Sequence, residues 1–563
     1  MNDRAGGTRL PPLVAPAVLT VVATALFAIR LAGQPNYMDN EYRLGAFVLN
    51  AIQGGNWLTP HDLSGSMYKP PMLTWLSALV SLPTGHVSPF SLYLPTALAT
   101  LGAAWLIFAS AGESFGWRAG LFGALAYLLS FVASHQMATA RWDGLFAFMV
   151  ALTALAGFRA WTSGRGWTAF WLAAAAATLT KGPLGLLLAA FGFFAIPWER
   201  GSGRWLPPRG SHAVGIALFL LVTVGWFGAA YWRMGSHLLD DMFSDEFVGH
   251  MVMHSPGHRF WKVPNDFLTN FLPWSLLTIV GLWRVVWSPA ADDRARRFER
   301  FCFCWLVAGL VLFAISPHNP SRLLDPLFPA AAILAGRELD RLAQHLQPRW
   351  VTVVCAAAIV VGLTALAVQA RHFERHSGKT KETRAMFDLR RSVEAAVGPG
   401  FPLSYAVDVP FAAQLAFNTM RPTLTFRRAA ALLRNAAPAY VVVRDVSHLR
   451  RSLGRHAPPL HEVAACSVGG ATYMRVVSNR DRLEWSDPVA VGLGPLRLQL
   501  DRVRLGPTQD GAIVVVRDAR PGSIDVTNAG KDTASFVLRV TGGASRREAR
   551  QIAPGETVHI AVE

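Results

Sequence analysis

The chain has 563 residues, of which 52% are hydrophobic and only 16% are charged, and its mean hydropathy is +0.30. This is too apolar for a soluble protein of this length, so the composition predicts several membrane-spanning segments. The formal net charge of +17 would suit a nucleic-acid-binding protein. Much of that charge, however, lies in short loops between apolar segments, and the basic patches lack a recognisable nucleic-acid-binding fold. Nucleic acid is therefore not expected as a partner.

Eleven apolar segments follow one another through the first two thirds of the chain. Several are near the length needed to cross about 30 Å of hydrocarbon, and the shorter ones suit tilted, kinked or re-entrant positions. The segments are residues 13–32, 89–111, 117–135, 143–161, 166–181, 183–198, 213–232, 266–288, 300–316, 322–336 and 350–370. They predict a polytopic α-helical membrane domain over residues 1–370, in which the first segment is a retained helix.

Arginines at alternate turns predict the topology, because basic loop residues favour the cytoplasmic side. The pattern is self-consistent only if residues 72–84 do not span and instead form an in-plane helix at the outer surface. The arginines placed in the cytoplasm are Arg4, Arg9, Arg118, Arg159, Arg165, Arg200, Arg204, Arg209, Arg294, Arg296, Arg297, Arg300, Arg337, Arg341 and Arg349. The outer face then receives residues 33–88, 136–142, 233–265 and 317–321, the turn at Lys181-Gly182-Pro183, and the chain after residue 371.

The composition changes to that of a soluble protein after residue 371. One helix and three strands are predicted next, at residues 384–397, 401–407, 438–444 and 472–477. They indicate a periplasmic α/β domain over residues 371–480. Beyond about residue 480, short alternating runs broken by turn residues predict a small β-sandwich-like domain over residues 481–563.

The loop after the first apolar segment carries Asp39 and Glu41, and it closes with Lys69 ahead of two prolines. Acids at the start of a helix over residues 40–53 can act as caps, but they also suit deprotonation of an acceptor hydroxyl or phosphate at the membrane surface. Lys69, in a backbone stiffened by prolines, either snorkels toward headgroups or holds a lipid phosphate. The sequence alone leaves both alternatives open.

Further ionisable residues lie at the predicted outer ends of later segments. Arg141 and Asp143 stand two residues apart, where they either neutralise each other or form part of a site. Lys181 is either a membrane-boundary residue or a site residue. His318 and Arg322 bracket a short outer loop, and arginine suits phosphate recognition better than lysine. Because these charges share one predicted face, they indicate a functional site there.

The outer loop 233–265 combines acids with three histidines at four-residue spacing. Histidines so spaced can share a helix face and ligate a metal, but a Pro-Gly pair would interrupt that helix. Glu246 and His250 are thus only weak candidates for metal ligands. The sequence requires no cofactor and leaves a divalent metal open.

A set of ordered motifs carries a family resemblance over about residues 10–340. In chain order these are Asn40-Glu41-Tyr42-Arg43-Leu44, Gly55-Asn56-Trp57, Lys69-Pro70-Pro71, Arg141-Trp142-Asp143, Leu179-Thr180-Lys181-Gly182-Pro183, Phe271-Leu272-Pro273-Trp274 and the run from Pro317 to Pro326. The set resembles the motifs of bacterial integral-membrane glycosyltransferases of the GT-C class, related to protein O-mannosyltransferases and to the lipid A aminoarabinose transferase. The departures are Asn40 at the first acid of the family pair, Tyr68 before the lysine, and Glu246-Phe247 in place of a Glu-His pair.

The resemblance implies an enzyme of the bacterial inner membrane that transfers a hexose or pentose from a polyprenyl-phosphate-linked donor. The acceptor would be a lipid (lipid A-like) or another cell-envelope molecule at the outer face, as in lipopolysaccharide modification. By position, Glu41 would act as base with Asp39 close by, and Asp143 would support this acidic centre. The implied substrate-binding residues are Lys69, Arg43, Arg141, Lys181, His318 and Arg322, of which Lys69 and Arg322 would hold the donor phosphate.

Two alternatives to this function remain. A flippase or transporter of a lipid-linked sugar would be expected to carry charges near the bilayer midplane and broken helices in paired repeats. The sequence instead has its charges at one predicted face and no internal repeat. Transfer to a protein acceptor is hardly distinguished by the sequence from transfer to a lipid.

Overall fold

A computed structural model of the chain divides it into two compact units, Met1–Thr380 and Lys381–Glu563. The residues that the structure describes are 14–32, 41–63, 65–201, 203, 206–240, 242, 260–316, 320–397, 403–434, 439–454, 459–479, 490–493, 496–504, 514–520, 523–528, 534–541, 546–553 and 555–561.

Helices build the described part of the first unit. They are α1 (Val14–Leu31), α2 (Glu41–Gly54), α3 (Met72–Ser81), α4 (Pro89–Phe115), α5 (Trp117–Leu128), α6 (Phe131–Gln136), α7 (Trp142–Ser163), α8 (Trp167–Lys181), α9 (Leu184–Ala190), α10 (Ala195–Gly201), α11 (Ala213–Met234), α12 (Ser236–Leu239), α13 (Lys262–Asn270), α14 (Trp274–Trp287), α15 (Asp293–Ile315), α16 (Phe328–Ala343) and α17 (Pro348–His376). Two 3₁₀ turns, Phe191–Phe194 and Ser321–Leu327, precede α10 and α16.

Within the described residues, seven helical stretches are long and apolar enough to cross a membrane. They are Val14–Leu31, Pro89–Phe115, Trp142–Ser163, Leu184–Gly201, Ala213–Met234, Asp293–Ile315 and Pro348–His372. The predicted polytopic helical fold is thereby confirmed. Helix α3 has 10 residues and rises only about 15 Å, half the thickness of the hydrocarbon layer, so it is too short to span.

The interior of this bundle depends on small residues where helices meet. A Cβ atom built on Gly336 of α16 would lie 2.4 Å from the backbone nitrogen of Gly123 and 2.5 Å from the carbonyl oxygen of Ala119, both in α5. Glycine therefore allows the two backbones to touch, as is common between membrane helices.

Gly336→Ala is expected to lower the free energy of unfolding by about 1–3 kcal/mol, because α5 and α16 must move apart to admit the methyl group. The matched control is Gly225→Ala in α11, where an added Cβ meets no atom within 4 Å. Thermal unfolding of the purified protein in detergent would measure both. Equal midpoints for the two variants would contradict the proposed close packing.

Buried ion pairs join the ends of α10, α15 and α16. Glu199 is fully buried and accepts hydrogen bonds from Arg300 Nη1 at 2.7 Å and from Arg296 Nε and Nη2 at 3.3 Å each. Glu299, also fully buried, accepts a hydrogen bond from Arg337. Because an unpaired buried charge is costly, these pairs tie the three helix ends to one another.

The second unit begins with a small mixed sheet and helices. Its strands are β1 (Ser404–Tyr405), β2 (Tyr440–Val443), β3 (His461–Val468) and β4 (Ala471–Ser478), in the order β1-β2-β4-β3. Strand β1 is parallel to β2, and the other two pairings are antiparallel. The helices are α18 (Gly378–Val397), α19 (Phe411–Ala416), α20 (Phe426–Arg434) and α21 (Val446–Leu453). Every residue of β2 is buried, which makes this strand the centre of the local core.

Two further antiparallel sheets form the described end of the chain. One has the order β10-β9-β6-β5 and the other the order β11-β8-β7. The strands are β5 (Ala490–Leu493), β6 (Leu496–Arg504), β7 (Val514–Arg520), β8 (Ser523–Asn528), β9 (Ala534–Thr541), β10 (Arg546–Ile552) and β11 (Thr557–Ala561). The division of the chain at residues 370 and 480 stays a prediction.

Candidate functional site

A buried ion pair lies where α7 begins and α8 ends. The two helices form an antiparallel hairpin whose turn uses Gly164 and Gly166, both with positive φ angles that favour glycine. The hairpin brings Asp143, in the first turn of α7, next to Lys181, the last residue of α8. Lys181 Nζ donates a hydrogen bond to Asp143 Oδ1, and the two side chains are only 13% and 7% exposed. The pair is thus held inside the protein and largely away from water.

Two more cations approach the same carboxylate from other parts of the chain. Lys69, which precedes α3, and Arg322, in the 3₁₀ turn before α16, both interact electrostatically with Asp143. Lys69, Lys181 and Arg322 are far apart in sequence, so only the fold brings them to one place. Three positive groups around one carboxylate leave a net positive charge that suits an anionic ligand.

A second buried carboxylate, which the sequence reasoning did not single out, completes this cluster. Asp325 is 3% exposed, accepts a hydrogen bond from Gln136 Nε2, and interacts electrostatically with Asp143, Lys181 and Arg322. It lies three residues after Arg322 in a 3₁₀ turn, where residues at that spacing share a face. Asp325 could have been found in the run from Pro317 to Pro326, because an acid within an apolar run needs a partner when it is buried. We call Lys69, Asp143, Lys181, Arg322 and Asp325 the charged cluster.

Aromatic side chains connect the charged cluster to α2. The rings of Phe47, Tyr68 and Trp142 form a triangle with centroid separations of 5.5, 5.7 and 6.1 Å. The guanidinium of Arg43 lies 4.9 Å from the Tyr68 ring centroid, and Lys69 Nζ lies 5.8 Å from the same centroid. Both contacts are within the range of cation–π attraction, so Arg43 lies close to the segment that carries Lys69.

Of the remaining predicted site residues, the structure describes Arg141 and the backbone of Glu41. Arg141 is the N-cap residue of α7 and is half-buried, and its backbone N–H donates to the Thr139 carbonyl oxygen at 2.8 Å. Glu41 is the first residue of α2, but its side chain lies outside the described part of the chain. Asp39, Glu246, His250 and His318 also lie outside the described residues. Among the residues that are described, no group of three His, Cys, Asp or Glu side chains is arranged to hold a metal ion.

Comparison of the sequence with known proteins finds membrane glycosyltransferases. The family described as dolichyl-phosphate-mannose-protein mannosyltransferase matches residues 68–227. An undecaprenyl phosphate-alpha-4-amino-4-deoxy-L-arabinose arabinosyl transferase of Pseudomonas paraeruginosa is 26% identical over 341 residues, which cover 58% of this chain and 60% of that protein. The protein of the same name from Pseudomonas aeruginosa PAO1 is 26% identical over 339 residues, with the same coverage. The match therefore spans less than two thirds of the length of these relatives.

Comparison with solved structures finds the same fold. The crystal structure of ArnT from Cupriavidus metallidurans bound to undecaprenyl phosphate has a TM-score of 0.63 at 20% identity, covering 85% of this chain and all of that chain. The apo form of that protein has a TM-score of 0.59 at 19% identity and covers 83% of this chain. With the seven apolar helices, these relationships indicate a polytopic bacterial inner-membrane protein. The chain is thus similar in sequence to membrane glycosyltransferases of the GT-C class, among them mannosyltransferases and aminoarabinose transferases, and it shares the fold of ArnT.

Proposed function

We propose that this chain is a glycosyltransferase that moves a sugar from a polyprenyl-phosphate donor to a lipid A-like or other cell-envelope acceptor. The observation that carries this proposal is the charged cluster. In it Lys181 pairs with Asp143, Lys69 and Arg322 interact electrostatically with the same carboxylate, and Lys181 and Arg322 also interact with Asp325. The names of the arabinosyl transferase relatives, which refer to undecaprenyl phosphate, support a donor of the same chemical class. The arginine pattern supports a site at the outer face of the inner membrane, with the C-terminal unit in the periplasm.

The donor phosphate needs positive charge because its own charge grows during the reaction. A sugar–phosphate–lipid diester carries one negative charge. When the bond from the anomeric carbon to the phosphate oxygen breaks, the leaving lipid phosphate becomes a monoester with up to two. Lys69 and Arg322 would neutralise this developing charge, and donors fixed in advance stabilise a transition state most effectively. The prolines after Lys69 and the 3₁₀ turn that carries Arg322 restrict the backbone at both positions.

The acceptor must lose a proton as its oxygen forms the new bond to the anomeric carbon. We assign this general-base role to Glu41, with Asp39 close to it in sequence. Because one bond forms as the other breaks, this scheme inverts the anomeric configuration. Analysis of the product by NMR would test it, since a retained configuration is incompatible with a single displacement.

Asp143 has a different part in this proposal, because Lys181 already occupies its carboxylate. It supports the acidic centre by holding Lys181 toward Arg322 and Asp325, while Arg43, Arg141 and His318 would contact the substrates. Glu246 and His250 remain weak candidate ligands for a divalent ion, but the proposed mechanism needs none, because lysine and arginine can supply the required positive charge.

Glu41→Gln and Lys69→Ala are each expected to lower sugar transfer by about a hundredfold or more, since each removes a group that acts in the transition state. The measurement is transfer of radiolabelled sugar from membrane lipid to lipid, glycan and protein fractions at matched expression. The control is Lys262→Ala, an exposed lysine whose Nζ lies 2.8 Å from Asp266 Oδ2. The labelled fraction would identify the acceptor, including the protein acceptor that the mannosyltransferase family match allows.

Undiminished transfer in both variants would overturn the assignment of these residues. Glu41 would then be a helix cap and Lys69 an interfacial lysine. Movement of intact lipid-linked sugar across the membrane, without transfer to any acceptor, would instead favour a flippase.

A further inference from the structure

A cavity of about 670 Å³ lies between α4, α7, α8 and α15. Its charged lining consists of Glu113, Arg159, Arg165, Arg294 and Arg297. Arg159 lies 16 residues after Asp143 on α7, which corresponds to about 24 Å along the helix axis. The cavity is thus at the opposite end of α7 from the charged cluster and takes no part in the proposed transfer reaction.

The charges that line this cavity are strongly unbalanced. Four arginines and one glutamate line the cavity, and of the four only Arg297 is also paired, within the described residues, with acids outside the lining, Glu199 and Asp293, at 3.6 and 3.5 Å. Glu113 already accepts hydrogen bonds from both Arg159 and Arg294, the latter at 2.5 Å. The Arg159 and Arg294 side chains nevertheless remain 65% and 48% exposed. The side chain of Arg165 forms no ion pair with any residue that the structure describes. The cavity therefore offers guanidinium groups to an external anion.

The rest of the lining is apolar. Leucine and alanine side chains of α4 and α7, such as Leu152, form the wall beside the arginines. Both helices are among the seven that are long and apolar enough to cross a membrane. The apolar wall suits the acyl chains of a phospholipid, and the guanidinium groups at its end suit the phosphate of the headgroup. Arginine binds phosphate oxygens through two parallel hydrogen bonds, and a headgroup with a net negative charge complements this basic lining better than a zwitterionic headgroup does.

We propose that this cavity, the arginine groove, binds an anionic phospholipid of the bilayer. The headgroup phosphate lies among Arg159, Arg165 and Arg294, and one acyl chain lies along the leucine and alanine wall. By the distribution of basic loops, this end of the bundle faces the cytoplasm, so the ligand comes from the cytoplasmic leaflet. The inference does not depend on the proposed sugar transfer.

Native mass spectrometry of the full-length protein, titrated with phosphatidylglycerol or with phosphatidylcholine, tests this proposal. Phosphatidylglycerol is expected to bind in preference to phosphatidylcholine. Arg159→Gln and Arg165→Gln are each expected to weaken its binding by about fivefold, the effect of one basic residue near an anionic lipid. The matched control is Arg349→Gln, an arginine at the same end of the bundle that lies 5.9 Å from the Trp350 ring and outside the groove.

The two arginine variants distinguish binding from folding. Arg159→Gln also breaks the pair with Glu113, so its effect alone could come from a loosened helix contact. Arg165→Gln breaks no ion pair within the described residues, and unchanged binding in this variant would overturn the proposal. Equal binding of the two lipids would do the same. Displacement of phosphatidylglycerol by millimolar inorganic phosphate would assign the groove to a soluble anion instead.

Discussion

Asp143→Asn and Lys181→Gln are each expected to reduce sugar transfer by about a hundredfold or more and also to destabilise the protein. Each single change removes the hydrogen-bonded counter-ion of a buried charge, which typically costs about 3–5 kcal/mol. The double variant is expected to regain most of this stability, because the two amides can hydrogen-bond to each other without any buried charge. It should not regain transfer, since the positive charge of Lys181 is still missing from the cluster.

Thermal unfolding in detergent and the labelled-sugar assay, applied to the wild type and all three variants, would measure this cycle. The double variant separates the structural role of the pair from its role in catalysis, because we expect it to recover stability but not sugar transfer. A double variant that is both stable and active would show that the pair is only structural. The proposed function would then rest on Lys69, Arg322 and Glu41 alone.

A second large loss of stability is expected when the buried ion pairs between α10 and α15 are broken. Glu199→Gln should lower the free energy of unfolding by about 3–5 kcal/mol, because Arg296 and Arg300 would lose their buried counter-ion. Arg297, whose Nε lies 3.6 Å from the same carboxylate, would also lose one of its negatively charged partners. The side chain of Glu199 is fully buried, so water cannot replace the lost charge.

The matched control for this variant is Asp266→Asn, which breaks an exposed pair with Lys262 and is expected to cost at most about 1 kcal/mol. Denaturation in mixed micelles would compare the two. The folded fraction of Glu199→Gln should retain transfer per molecule, since Glu199 lies outside the charged cluster. Similar stability losses in both variants would contradict the importance of the buried network.

The membrane helices could be predicted from the sequence because their signal is local. Runs of apolar residues have no stable place in water, so length and hydropathy alone locate them, and eight of the eleven predicted segments contain or overlap one of the long or short apolar helices found among the described residues. One exception is residues 166–181, which form the 15-residue helix α8. The other two are interrupted: α5 and α6 are separate within residues 117–135, and a 3₁₀ turn leads into α16 within residues 322–336. Breaks of this kind depend on packing against neighbours, which hydropathy does not report.

The candidate site was only partly predictable for the same reason. Lys69, Asp143, Lys181 and Arg322 could be identified as charged residues at the ends of apolar segments, where an ionisable group is costly without a function or a partner. Their partners could not be identified. The sequence placed Arg141 next to Asp143 as its natural neutralising group, whereas in the structure Lys181, 38 residues away, donates to that carboxylate. Asp325 was overlooked because it lies inside an apolar run.

The apolar runs and the charges at their ends are thus enough to predict a polytopic membrane protein, because the hydropathy of a segment depends only on its own residues. Which of these charges form contacts depends on how the helices pack. The hairpin of α7 and α8 brings Asp143 to Lys181, and the 3₁₀ turn before α16 adds Arg322 and Asp325. Electrostatic pairing depends on distance in space, and in a helical bundle that distance is set by how the helices pack rather than by their order in the chain.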